Sequence, residues 1–84
     1  MRETMDKLTS IEDVKNQIIS HVGNEIGIRE YNKQGKIVHE YSGTITQTFD
    51  NLFLIKININ NYSINKSFTY ADLTLREREY EIIS

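Results

Sequence analysis

The chain of 84 residues has no cysteine, no proline and no tryptophan, and only four glycines. Without cysteine there is neither a disulfide framework nor thiolate chemistry, which is compatible with a reducing compartment. No stretch approaches the roughly 18 consecutive apolar residues of a membrane-spanning helix. The first twenty residues hold Glu3, Asp6, Glu12 and Asp13 and no apolar run, so an export signal is not expected and a cytoplasmic location is. For that reason the two sequons, Asn61-Tyr62-Ser63 and Asn65-Lys66-Ser67, read as accidental rather than glycosylated. An excess of positive charge is also missing. The formal net charge is −2, and the basic residues are spread against acidic ones along the chain, so the clustered basic face that grips duplex DNA is not expected. There are no repeats, linkers or low-complexity segments, and residues 1–84 read as a single domain. A domain this small buries only about 60 to 65% of its unfolded surface, and a partner or a second copy would steady it.

What is present is alternation. From Tyr41 to Ile59 the pattern has period two, broken at Asp50-Asn51, whose side chains can bond their own backbone in a turn. Tyr41, Ile45 and Phe49 fall on one face of the first strand, and Ser42, Thr44, Thr46 and Thr48 on the other. In the second strand Phe53, Ile55, Ile57 and Ile59 share a face. Gly43 stands inside the first strand, where a residue without Cβ marks a bulge or bend.

Ahead of this hairpin, residues 1–8 are polar and expected to fray. Thr9 and Glu12 have capping-box spacing, and Ile11, Val14, Ile18 and Val22 form one apolar stripe, predicting a helix over 9–22 closed by Gly23. Ile26 to Tyr31 reads as a strand and Asn32-Lys33-Gln34-Gly35 as a turn. After Ile59, Asn60-Asn61 turns the chain into a strand whose apolar face is Tyr62, Ile64, Phe68 and Tyr70. Ala71-Asp72-Leu73 is a short break, and Thr74 to Ile83 is a fifth strand whose early part alternates charge as a guarded edge. One helix followed by five short antiparallel strands gives a mainly β (α+β) fold: an N-terminal helix and, over 26–83, a small SH3-like or Sm-like barrel.

Reactive groups do not converge in this sequence. His21 and His39 have no third ligand at metal spacing, no nucleophile elbow is present, and no glycine-rich loop follows a strand, so neither an enzyme nor a cofactor or metal site is expected. Binding is the remaining class. Arg29, Lys33 and Lys36, with Tyr31 among them, form the one local basic group and the candidate surface for a partner or a nucleic acid.

The segments His39-Glu40-Tyr41-Ser42-Gly43-Thr44-Ile45, Phe53-Leu54-Ile55 and Ser67-Phe68-Thr69-Tyr70-Ala71-Asp72-Leu73, with the helix opening Ile11-Glu12-Asp13-Val14-Lys15, resemble the Veg family of small bacterial proteins. The likeness runs over roughly residues 8 to 83, with Ser42, Gly43, Ser67, Tyr70, Ala71 and Asp72 as its motif positions. It implies a cytoplasmic, non-enzymatic regulatory protein that stimulates biofilm formation by protein contact with a transcriptional repressor of matrix genes. Two further expectations stand beside this. A homo-oligomer, with strands paired across copies, is compatible with it. An Sm-like module for single-stranded RNA is the less favoured alternative, because the basic run after the first strand is thin.

Overall fold

A computed structural model of the chain describes residues 10–83. The expected fraying of residues 1–8, and Thr9 as helix cap, lie outside them. The helix α1 spans Ile11–Ile19, shorter than the 9–22 the stripe predicts. Its cap is Ser10, whose hydroxyl oxygen accepts the Asp13 N–H at 3.0 Å, with Glu12 and Asp13 placed favourably in the first turn. Only Val14 and Ile18 of the stripe are buried; Ile11 is half exposed, and Val22 is exposed beyond the helix. The helix ends at Ser20, still right-handed. Gly23, at φ +96°, instead turns the chain into the first strand, its N–H donating to Ile45 O at 2.8 Å.

Five strands follow: β1 Glu25–Tyr31, β2 Ile37–Thr48, β3 Leu52–Ile59, β4 Tyr62–Thr69 and β5 Arg78–Ile82. They form one antiparallel sheet in the order β4-β3-β2-β1-β5. The tail predicted as one strand from Thr74 is split: Ala71–Thr74 is a 3-10 turn, and the strand starts only at Arg78. That turn bridges the sheet's two end strands. The inner faces of the sheet, helix and turn share one core of Val14, Ile18, Ile26, Ile28, Ile45, Phe53, Ile55, Phe68, Tyr70 and Leu73, with Tyr41, Ile57, Tyr80 and Ile82 packed around it. The result is a mainly β, barrel-like fold with an N-terminal helix.

The bend falls where the glycine predicts it, in a way the sequence does not spell out. A Cβ on Gly43 would stand 2.6 Å from the backbone oxygen of Lys56, so only glycine admits this approach of β3 to β2. β2 pairs with β1 from Thr44 back to Ile37, and with β3 from Thr44 forward to Thr48. Beyond the Thr44–Lys56 pair, the β1–β2 hairpin, with β5 paired along β1, and the β3–β4 hairpin continue as separate arms toward the same end of the molecule. The actual irregularity in β2 is a bulge at Thr46, between the Ile45–Ile55 and Gln47–Leu54 pairs. It reverses the facing of the residues after it. Phe49, expected inside with Tyr41 and Ile45, is therefore 49% exposed at the β2–β3 turn. The expected apolar face of β4 is likewise buried only at Phe68, with Tyr70 just beyond it: Tyr62 and Ile64, and Ile59 opposite on β3, lie on the outer half of their arm, past the core. None of the helices in the described residues is long and apolar enough to cross a membrane.

Candidate interaction surface

Arg29 and Tyr31 sit on the outer face of β1, the alternation that turns Ile26 and Ile28 inward turning them out. Because β1 lies between β2 and β5, each of its residues has a neighbour on both sides. Arg29 is opposite Glu40 and opposite Glu79. Its Nε donates to Glu40 Oε2 at 3.0 Å and its Nη1 lies 3.5 Å from Glu79 Oε1. Tyr31 reaches the same carboxylate, its hydroxyl donating to Glu79 Oε1 at 2.6 Å. The hydrogen bond to Glu40 holds the Arg29 pKa above its usual value, and that to Glu79 raises the Tyr31 phenol.

One residue further along, the opposite face carries a second row, with a carboxylate at its centre. Glu30 lies between His39 and Arg78. His39 Nδ1 is 3.0 Å from Glu30 Oε1, and Arg78 Nη2 donates to Glu30 Oε2 at 2.9 Å while its Nη1 stands 3.9 Å from Asp72. Three adjacent strands thus contribute the pairs Arg29-Glu30, His39-Glu40 and Arg78-Glu79, and antiparallel pairing sorts them into one row per face. Sequence reading missed Glu30, Glu40, Arg78 and Glu79 as partners. The signal was there in the three dipeptides, but it is decoded only by the register.

The candidate basic group is therefore not a basic face. Arg29 is flanked by two carboxylates, while Lys33 and Lys36 are exposed in the β1–β2 turn. That turn is shaped by Asn32, whose Oδ1 accepts the N–H of Gln34 at 2.9 Å and of Lys36 at 3.0 Å, and by Gly35 at φ +83°. A cavity of about 160 Å³ opens on the outer face above Gly27, between Arg29, Glu40, Ser42 and Glu81.

The motif residues fall in two places. Ser42 is exposed opposite Gly27, and Gly43 is the bend beside it. Ser67, on β4, is exposed opposite Leu54. Tyr70, Ala71 and Asp72 form the corner that joins β4 to the 3-10 turn. Tyr70 is buried against Phe53, ring centroids 5.6 Å apart, and its hydroxyl donates to Phe49 O at 2.9 Å. Its N–H donates to Asn51 O at 3.2 Å, so one residue ties the corner to both ends of the β2–β3 turn. The Asp72 N–H is capped by Thr69 Oγ1 at 3.0 Å. Desolvation raises the Tyr70 phenol, and that of Tyr80, whose hydroxyl bonds Gln17 on α1.

Among the described residues no group of three or more His, Asp or Glu is arranged to hold a metal ion. The chain is thus a small barrel-like β protein with a helix across one end, the charged groups of β1 engaged with those of β2 and β5, and Gly43 and Tyr70 among its motif residues engaged in holding the fold. Over residues 9–78 it matches the family described as biofilm formation stimulator VEG, and it belongs to that family. No curated protein matches it.

Proposed function

We propose that this protein is a cytoplasmic, non-enzymatic regulator that stimulates biofilm formation by contacting a transcriptional repressor of matrix genes and relieving its hold. The family match over residues 9–78 carries this reading. The surface chemistry supports contact with protein over contact with nucleic acid: Arg29 is matched by Glu40 and Glu79, which leaves Lys33 and Lys36 as the basic residues of that hairpin clear of the carboxylate rows. Non-specific nucleic-acid binding draws its affinity from several uncompensated cations.

The test is a matrix-gene reporter in a biofilm-forming bacterium that makes this protein. Raising the protein's level increases reporter output and biofilm mass in cells that contain the repressor, and changes neither in cells deleted for it. An equal increase in the deleted strain overturns the mechanism.

A further inference from the structure

β4 ends the sheet, and its pairing with β3 is unbroken from Leu52–Thr69 to Ile59–Tyr62. Among the described residues nothing pairs with its other edge. Such edges are normally guarded by bulges, prolines or charged side chains, inward-pointing ones included, because a regular row of unpaired N–H and C=O groups is a template for another strand. This edge has neither bulge nor proline. Its one guard is Lys66, on the inner face, its ammonium 5.1 Å from the Tyr41 ring and 5.6 Å from Phe68 and so already engaged with aromatic rings. On the same face, past the core, Tyr62 and Ile64 are 63% and 42% exposed.

We propose that this edge pairs with a second copy of the chain: the two β4 strands run antiparallel about a two-fold axis through Ile64, merging two five-stranded sheets into one of ten strands. The occupant follows from self-complementarity. In an antiparallel pair, directly opposed residues share a face, so a two-fold normal to the sheet must pass through a single residue position. Centred on Lys66, the axis sets two ammonium groups against each other, which is destabilising. Centred on Asn65, it sets Ile64 against the partner's Lys66. Centred on Ile64, it sets that residue against the partner's Ile64, and Tyr62 against the partner's Lys66, a cation against an aromatic ring. On the outer face Ser63 then meets the partner's Asn65, which can hydrogen-bond to it. No like charges face one another in this register, and the contact is isologous, so it closes at two copies.

The absence of cysteine makes the register directly readable. Opposed residues across an antiparallel pair have Cα atoms about 4.5 to 5.5 Å apart, within the range a disulfide spans. Under mild oxidation, Ile64→Cys therefore yields a covalent dimer, and Asn65→Cys and Tyr80→Cys yield little. The unmodified protein shows twice its 9.9 kDa mass in light scattering, and Ile64→Lys, at an exposed position, returns to the single mass with an unchanged circular dichroism spectrum. A wild-type protein that stays at the single mass up to millimolar concentration, or cross-linking that is fastest at Asn65 or Tyr80, overturns the proposal.

Discussion

At the residue scale, Tyr70 shows what a motif position does here. Its ring fills the core beside Phe53 while its hydroxyl and N–H hold the two ends of the β2–β3 turn. Tyr70→Phe removes one hydrogen bond and keeps the ring, so urea unfolding at neutral pH should show a loss of about 1 kcal/mol. The same residue sets an alkaline limit. Burial raises the phenols of Tyr70 and Tyr80, and the bond to Glu79 raises that of Tyr31, above the ordinary value of 10.0. A folded-state pKa above the unfolded one gives stability that is fully present below the unfolded value and lost as pH rises through the folded one. Stability should therefore fall above about pH 10, and Tyr70→Phe should make that fall shallower; an identical alkaline slope in the variant counts against the assignment. Tyr70 was legible in sequence as a motif position and as the apolar end of a strand. Its bond to Phe49 was not, because the bulge that turns Phe49 outward is at Thr46, a residue with no special turn chemistry.

At the element scale, what could be read from the sequence was what single residues enforce. Gly35 and Asn60 both take positive φ in the turns predicted for them, and Gly43 sits where β2 bends. What escaped needed two or three elements at once. The length of α1 depends on how much of its stripe the sheet covers, and only Val14 and Ile18 are covered. The charged rows depend on β1 lying between β2 and β5, so Arg29 read alone looked like part of a basic patch. Two glycines on neighbouring strands make the bend testable. A Cβ at Gly43 meets Lys56 O at 2.6 Å, whereas one at Gly27 meets nothing closer than the Ile83 side chain at 3.5 Å. Gly43→Ala should cost about 1 to 3 kcal/mol, as forced overpacking does, and Gly27→Ala should stay within about 0.5 kcal/mol, as surface changes do. Equal effects in denaturant melts would show that the close approach is not what bends the strand.

At the scale of the whole molecule, charge is used to align strands. The rows Glu40-Arg29-Glu79 and His39-Glu30-Arg78 cross three strands on opposite faces, and opposite charges meet in each only in the native register. A one-residue slip of β1 brings like charges together, setting Glu30 between Glu40 and Glu79 in one direction and Arg29 beside Arg78 in the other. Arg29→Glu creates that conflict without a slip, setting three carboxylates in a row. It should lower the thermal midpoint clearly at low salt and less so at high salt, where exposed charges are screened. Lys33→Glu with Lys36→Glu, in the solvated turn, should leave the midpoint nearly unchanged. If both variants melt alike, the row does not set the register.

The parting of the two arms at Thr44 and Lys56 has a mechanical consequence. Past that pair the β1–β2 arm keeps Ile26 and Ile28 in the core and has β5 paired along its side, whereas the β3–β4 arm is held by its hairpin bonds and leaves Ile59, Tyr62 and Ile64 exposed. Opening is cheapest where burial is least, so the β3–β4 arm is a lever and the rest of the molecule its fulcrum. A protein that grips this arm can still it and keep the base intact.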